Sequence, residues 1–209
     1  MPNRFDHILQ VKITLLGIKP PIWRRIQIPS HYSFWDLHVA IQDAMGWMDS
    51  HLHMFRLHDP KSRKPIFIGI PDEDGFFDDP EILPGWDFPV SRFITLADRS
   101  TKYEYDFGDG WSHSVSLERI EPRQPKRQYP VCIAGRRACP PEDCGGIPGY
   151  YRVLEAIGDS TDDEHDSMLE WVGGSYDPDA FDKTTVTFDD PHERWIQAFR
   201  FEPDNAHDG

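Results

Sequence analysis

The run Tyr103-Glu-Tyr-Asp-Phe-Gly-Asp-Gly-Trp-Ser-His113 constrains the fold more than any other stretch, because two alternating segments joined through glycines favour a β-hairpin. Two registers compete. With Asp109-Gly110 as a two-residue turn, Tyr103, Tyr105 and Phe107 would face Ser112, Ser114 and Ser116, mixing an apolar face with a polar one. With Gly108, Asp109 and Gly110 all in the loop and Gly110 left-handed, Phe107 opposes Trp111, Tyr105 opposes His113 and Tyr103 opposes Val115. The second register sorts the faces and is the one predicted. It puts an aromatic ladder with His113 on the buried side and Lys102, Glu104, Asp106, Ser112, Ser114 and Ser116 on the other.

The flanking sequence supplies the rest of a sheet. Residues 8–18 alternate, Lys19-Pro-Pro21 breaks the chain, and 22–28 alternate again, as an antiparallel pair would. Ser33 and Asp36 form a capping-box-like start, and Phe34, Leu37, Ile41, Ala44 and Met45 repeat at helical spacing until Gly46. Extended character returns at 51–57, and the acid-, Gly- and Pro-rich stretch from Pro71 to Pro89 reads as a loop. Its acids (Asp72, Glu73, Asp74, Asp78, Asp79, Glu81) lose the spacing of a calcium loop at Phe76. Helical patterns follow at 150–157, 162–172, after Asp177-Pro178 and at 191–199.

The predicted fold class is α+β. One mainly antiparallel sheet is expected from strands near 8–18, 22–28, 52–57, 102–107 and 111–119, with a β-β-α-β opening. That opening also looks like the first half of a ubiquitin-like β-grasp. The helix at 34–45 and the C-terminal helices are expected to pack on the sheet. All of 1–209 is read as a single domain, with a Pro/Gly-rich loop at about 121–149 and a helical part at about 150–200.

Charge narrows the partners. A formal charge of −14 opposes broad attraction to nucleic acid, since phosphate binding draws its affinity from Lys and Arg. The segment 119–137 is the exception, with six basic residues (Arg119, Arg123, Lys126, Arg127, Arg136, Arg137) against the single acid Glu121. No apolar run is long enough to span a membrane and the N-terminus lacks a signal-peptide core, so a cytoplasmic protein without membrane partners is expected.

Several residue groups could carry chemistry. Asp106, Asp109 and His113, with His51 or His53, are hard oxygen and imidazole donors, but the chosen register turns Asp106 and His113 to opposite faces. His51 and His53 share one side of a strand. Cys132, Cys139 and Cys144 lack the Cys-x-x-Cys knuckle of structural zinc, and nothing identifies a base and orienting acid for a cysteine nucleophile beside His113. Arg24 and Arg25 point to opposite faces, and one of them could pair with an acid such as Asp106. Glu142-Asp143, between Pro140-Pro141 and Gly145-Gly146, suits the rim of a cleft walled by Trp111 and Tyr150. No metal and no cofactor is expected on these spacings. The residues favour a binding surface for a protein or small molecule over an enzyme, the competing reading being a metal-dependent hydrolase or nuclease built on an Asp/His/Glu cluster.

Pro20-Pro-Ile-Trp-Arg-Arg25, Phe34-Trp-Asp-Leu-His-Val-Ala-Ile-Gln42, Met45-Gly-Trp47, the Tyr-Asp-Phe-Gly-Asp-Gly-Trp-Ser-His stretch and Cys139-Pro-Pro-Glu-Asp-Cys-Gly-Gly146 occur in this order. With them the chain resembles the plasmid pRiA4b Orf-three-like family over roughly residues 8 to 200. The resemblance implies a mixed α/β domain related to passenger proteins of insertion elements, with no established activity and no catalytic residues to carry over.

Overall fold

The computed structural model describes residues 6–71 and 81–199. Eight strands, β1 (His7–Leu15), β2 (Trp23–Pro29), β3 (His53–His58), β4 (Pro65–Gly69), β5 (Ile82–Pro84), β6 (Ser100–Tyr105), β7 (Trp111–Pro122) and β8 (Val131–Arg136), form one sheet in the order β5-β4-β3-β6-β7-β1-β2-β8. All neighbouring pairs are antiparallel except β4 with β5. Four helices complete the α+β fold: α1 (Phe34–Met45), α2 (Gly146–Gly158), α3 (His165–Trp171) and α4 (Pro191–Phe199).

α1 follows its predicted signals. Ser33 Oγ accepts from Asp36 N at 3.1 Å, Asp36 Oδ2 accepts from Ser33 N at 2.8 Å, and left-handed Gly46 ends the helix by donating to Gln42 O at 2.8 Å. Its apolar face joins Leu9, Val11, Ile13, Ile26, Phe55 and Tyr103 in the core, where each fully buried large apolar side chain contributes about 1.5–3 kcal/mol. α4 packs on α1, with Trp35 Nε1 donating to Pro191 O at 2.8 Å and Arg194 bound to Asp43 at 2.7 Å. The place beside β1 is taken by antiparallel β7, whereas a ubiquitin-like sheet sets a parallel strand there.

The hairpin differs from its predicted register. Tyr105 opposes Trp111 and Tyr103 opposes His113, so the loop spans Asp106 to Gly110 and Phe107 lies in it, exposed, instead of pairing with Trp111. Asp106 causes the shift. It adopts φ 53°, its Oδ1 accepts from Gly108 N (2.9 Å) and Asp109 N (3.2 Å), and its carbonyl receives Gly110 N at 2.6 Å. The slip is of two residues, so the same faces remain buried.

Other departures lie where pairing is distant or capping is strong. β8 occupies part of the stretch predicted as a loop at 121–149, and β4 and β5 add two unpredicted strands. Asp72, Glu73, Asp74, Asp78 and Asp79 fall outside the described residues, while Glu81 immediately precedes β5. α3 starts at His165 instead of 162, because Asp159 and Asp162 cap successive turns by accepting from Thr161 N and Glu164 N, both at 2.9 Å. Between Asp177 and α4 there are two isolated turns, Ala180 N to Asp177 O at 3.2 Å and Thr185 N to Asp182 O at 3.3 Å, and no helix.

Candidate functional site

Three segments meet at one end of the sheet: the turn after α1 (46–52), the hairpin tip (106–110) and the loop 139–146. The turn carries Trp47 inward and leaves Met48 76% exposed. The Trp47 ring lies 5.1 Å from Tyr105, 5.9 Å from Trp111 and 5.4 Å from His113, and its Nε1 donates to Pro140 O at 3.0 Å. It is the pillar on which the loop rests. The sequence reading missed it as a site residue, although Met45-Gly-Trp47 stood among the motifs.

The loop then fastens to both other segments. Glu142 accepts from the Tyr105 hydroxyl through Oε1 and from Met48 N through Oε2 at 2.8 Å. Burial and this carboxylate together raise the Tyr105 pKa. Asp143, at φ 57°, binds His51 Nε2 at 2.8 Å, and Asp106 Oδ2 stands 3.6 Å from the same nitrogen. Asp109 Oδ2 accepts from Gly145 N at 3.1 Å. A Cβ at Gly146, which sits at φ 67°, would run into the Asp109 backbone carbonyl, so this close approach requires glycine.

Beside the junction opens a cavity of about 510 Å³, lined by Met48, Cys139, Glu142, Asp143, Trp171 and Tyr176 among others. Trp171, near the end of α3, is 48% exposed. Neither thiol near this cavity is an activated nucleophile: burial raises the Cys139 pKa, and burial with the Asp109 charge pushes Cys144 up to about 12.

The structure therefore brings Asp106, Asp109, Glu142, Asp143 and His51 together, but places the other predicted site residues elsewhere. His113 is fully buried beside Tyr103, its pKa pushed down to about 3 by burial, and Asp109 turns to Gly145 instead of toward it. Trp111 and Tyr150 are core residues, and Trp171 and Tyr176 line the cavity in their place. His51 and His53 do not share a strand face, because β3 begins at His53, whose ring stacks on His38 at 3.4 Å. Arg24 is buried against Phe181 and donates to Ala44 O, Trp23 O and Arg136 O, while Arg25 pairs with Glu118 at 2.6 Å. Neither reaches Asp106. The three cysteines are free, and among the described residues only His51, Asp106 and Asp143 form a group of potential metal ligands. The basic segment is partly consumed internally, with Arg137 held by Asp179 at 2.9 Å and by Pro20 O, and Arg119 standing 3.6 Å from Glu121. No helix among the described residues is long and apolar enough to cross a membrane.

The motifs that build this junction are those of a known family, whose profile, Plasmid pRiA4b ORF-3-like protein, matches residues 7–185. The chain belongs to that family. It is 35% identical over 199 residues to the uncharacterized protein y4hQ of Sinorhizobium fredii (strain NBRC 101917 / NGR234), covering 92% of this chain and 96% of that protein. It also resembles the crystal structure of MM3350 from Methanosarcina mazei Go1, a protein of unknown function, at 40% identity and a TM-score of 0.82, covering 88% of this chain and 100% of that one. None of these descriptions assigns the family a reaction.

Proposed function

We propose that the chain is a non-enzymatic binding module, of mobile-element origin as the family's plasmid name suggests, whose working surface is the cavity between the 46–48 turn, the 139–143 loop and α3. The occupant that fits is a short protein segment presenting a large apolar side chain next to Lys or Arg. One observation carries this reading. Met48 and Trp171, both exposed, wall a cavity of about 510 Å³ whose lining also includes Glu142 and Asp143. An adaptable thioether and an indole suit an apolar anchor, an indole face and a carboxylate suit a neighbouring cation, and a chain of charge −14 draws basic segments toward it. The raised thiol pKa values and the buried, neutral His113 support binding over nucleophilic catalysis.

Selection of a random-peptide display library against the full chain tests the proposal. Enriched peptides should combine an aromatic or aliphatic residue with Lys or Arg, and should bind Trp171→Ala at least about tenfold more weakly, as expected for a central aromatic anchor. Enrichment of peptides indifferent to Trp171, or no enrichment at all, would overturn it.

A further inference from the structure

His51 Nε2, Asp106 Oδ2 and Asp143 Oδ1 lie within 4.8 Å of one another, each delivered by a different one of the three segments that meet at the junction. The arrangement is incompletely paired. His51 Nε2 lies 2.8 Å from Asp143 and 3.6 Å from Asp106, and a neutral imidazole has one proton to give from that nitrogen. Asp106 is the informative member. Its side chain is only 9% exposed, its Oδ1 is occupied by two backbone N–H groups, and its Oδ2 receives no hydrogen bond from any described residue. A carboxylate on a side chain only 9% exposed, with its second oxygen directed at an imidazole nitrogen that another carboxylate already holds, suits a cation.

We propose that His51, Asp106 and Asp143 bind one divalent first-row transition ion, of the Mn²⁺ or Zn²⁺ type. Nitrogen and oxygen donors about 2.0–2.2 Å from such an ion stand roughly 3.0–3.6 Å apart. The His51–Asp106 separation of 3.6 Å already meets this, and Asp143, 65% exposed at its side chain, is free to adjust. One imidazole with two carboxylates suits these ions better than Cu(I), which favours sulfur. The donor set differs from each grouping suggested by sequence spacing: His113 and His53 are buried in the core, Asp109 is turned to Gly145, and no cysteine takes part. Three protein donors leave further coordination positions open on the exposed side, and the ion would tie the turn, the hairpin tip and the loop together.

Isothermal titration of the full chain with Mn²⁺ and with Zn²⁺, after chelator treatment and in a non-coordinating buffer at pH 7, tests this with the metal alone. At least one of the ions should bind with 1:1 stoichiometry. Its affinity should fall about tenfold or more in both His51→Gln and Asp143→Asn, in line with loss of a ligand. Asp163→Asn, an exposed acid elsewhere, should bind like the unaltered chain. Absence of saturable 1:1 binding of either ion, or binding unchanged in His51→Gln and Asp143→Asn, would overturn the proposal. Trp171→Ala separates the two readings, since it should weaken peptide capture at least about tenfold and leave metal affinity unchanged.

Discussion

His38 and His51 each hold an aspartate through Nε2, at 2.7 Å to Asp49 and 2.8 Å to Asp143, yet the two pairs live in different solvents. His38 is fully buried, stacked on His53, and part of a buried network: Gln42 Nε2 donates to the Tyr103 hydroxyl, whose own O–H then donates to His38 Nδ1, leaving His38 Nε2–H to donate to Asp49. Asp49 in turn lies 3.5 Å from Arg194 of α4. His51 and Asp143 are 30% and 65% exposed at their side chains, and the pair faces a third group, Asp106, that it does not satisfy. Identical partners at nearly identical distances thus perform different tasks. In low dielectric, with both His38 nitrogens engaged, they fix one arrangement of α1, β6 and α4. At the surface the same contact is screened and worth little, so its geometry is available to a ligand.

The comparison breaks first at His38. Replacing it with Ala removes a buried ring and strands both the Tyr103 hydroxyl and an Asp49 oxygen, with an expected loss of about 3–5 kcal/mol. Urea denaturation checks it. A loss under about 1 kcal/mol would mean that the network reorganises without cost and that the buried pair is no more structural than the exposed one.

Acid sharpens it next. Burial holds His113 neutral in the fold, with a pKa of about 3, and lowers the His53 pKa well below its ordinary value, in the latter case with help from neighbouring His38. The unfolded chain protonates both near pH 6.5, so below that pH it binds protons the fold refuses. Stability is then lost as pH falls, for His113 by about 1.4 kcal/mol per pH unit, or about 2 kcal/mol at pH 5, and His53 acts in the same direction. Unfolding free energies at pH 7 and pH 5 should separate accordingly, and His113→Phe should remove about 2 kcal/mol of the difference. An unchanged pH dependence in that variant would show His113 to be solvated in the fold.

What the sequence could disclose divides along the same line. Ser33, Asp36 and Gly46 announce α1 because capping is decided within four residues. The face alternation of β6 and β7 was legible because it belongs to the two strands alone, but the loop length was not: Asp106 trades a strand position for a side-chain cap and a left-handed backbone, a choice that alternation does not encode. β8 hides in a Pro/Gly-rich stretch because its pairing partner, β2, lies about a hundred residues earlier. Glu142 and Asp143 were visible as an acidic element between prolines and glycines. That Asp143 meets His51, 92 positions away, and that Trp47 props the loop, are products of tertiary packing that no local pattern carries.

The smallest effect is the most discriminating. His51→Ala, Asp143→Ala and their double variant form a cycle whose coupling should be about 0.2–1 kcal/mol, because both side chains keep contact with water and the ion pair gains little over its hydrated parts. Each single loss should stay below about 1 kcal/mol in denaturation carried out with chelator present. A coupling above about 2 kcal/mol would place the pair beside His38–Asp49 as a structural clamp, and its geometry would then be explained without any ligand. A small coupling leaves the convergence of His51, Asp143 and the largely buried Asp106 side chain without a folding rationale. It also makes these variants clean probes, since any loss of metal affinity they show is then a property of the site and not of a damaged fold.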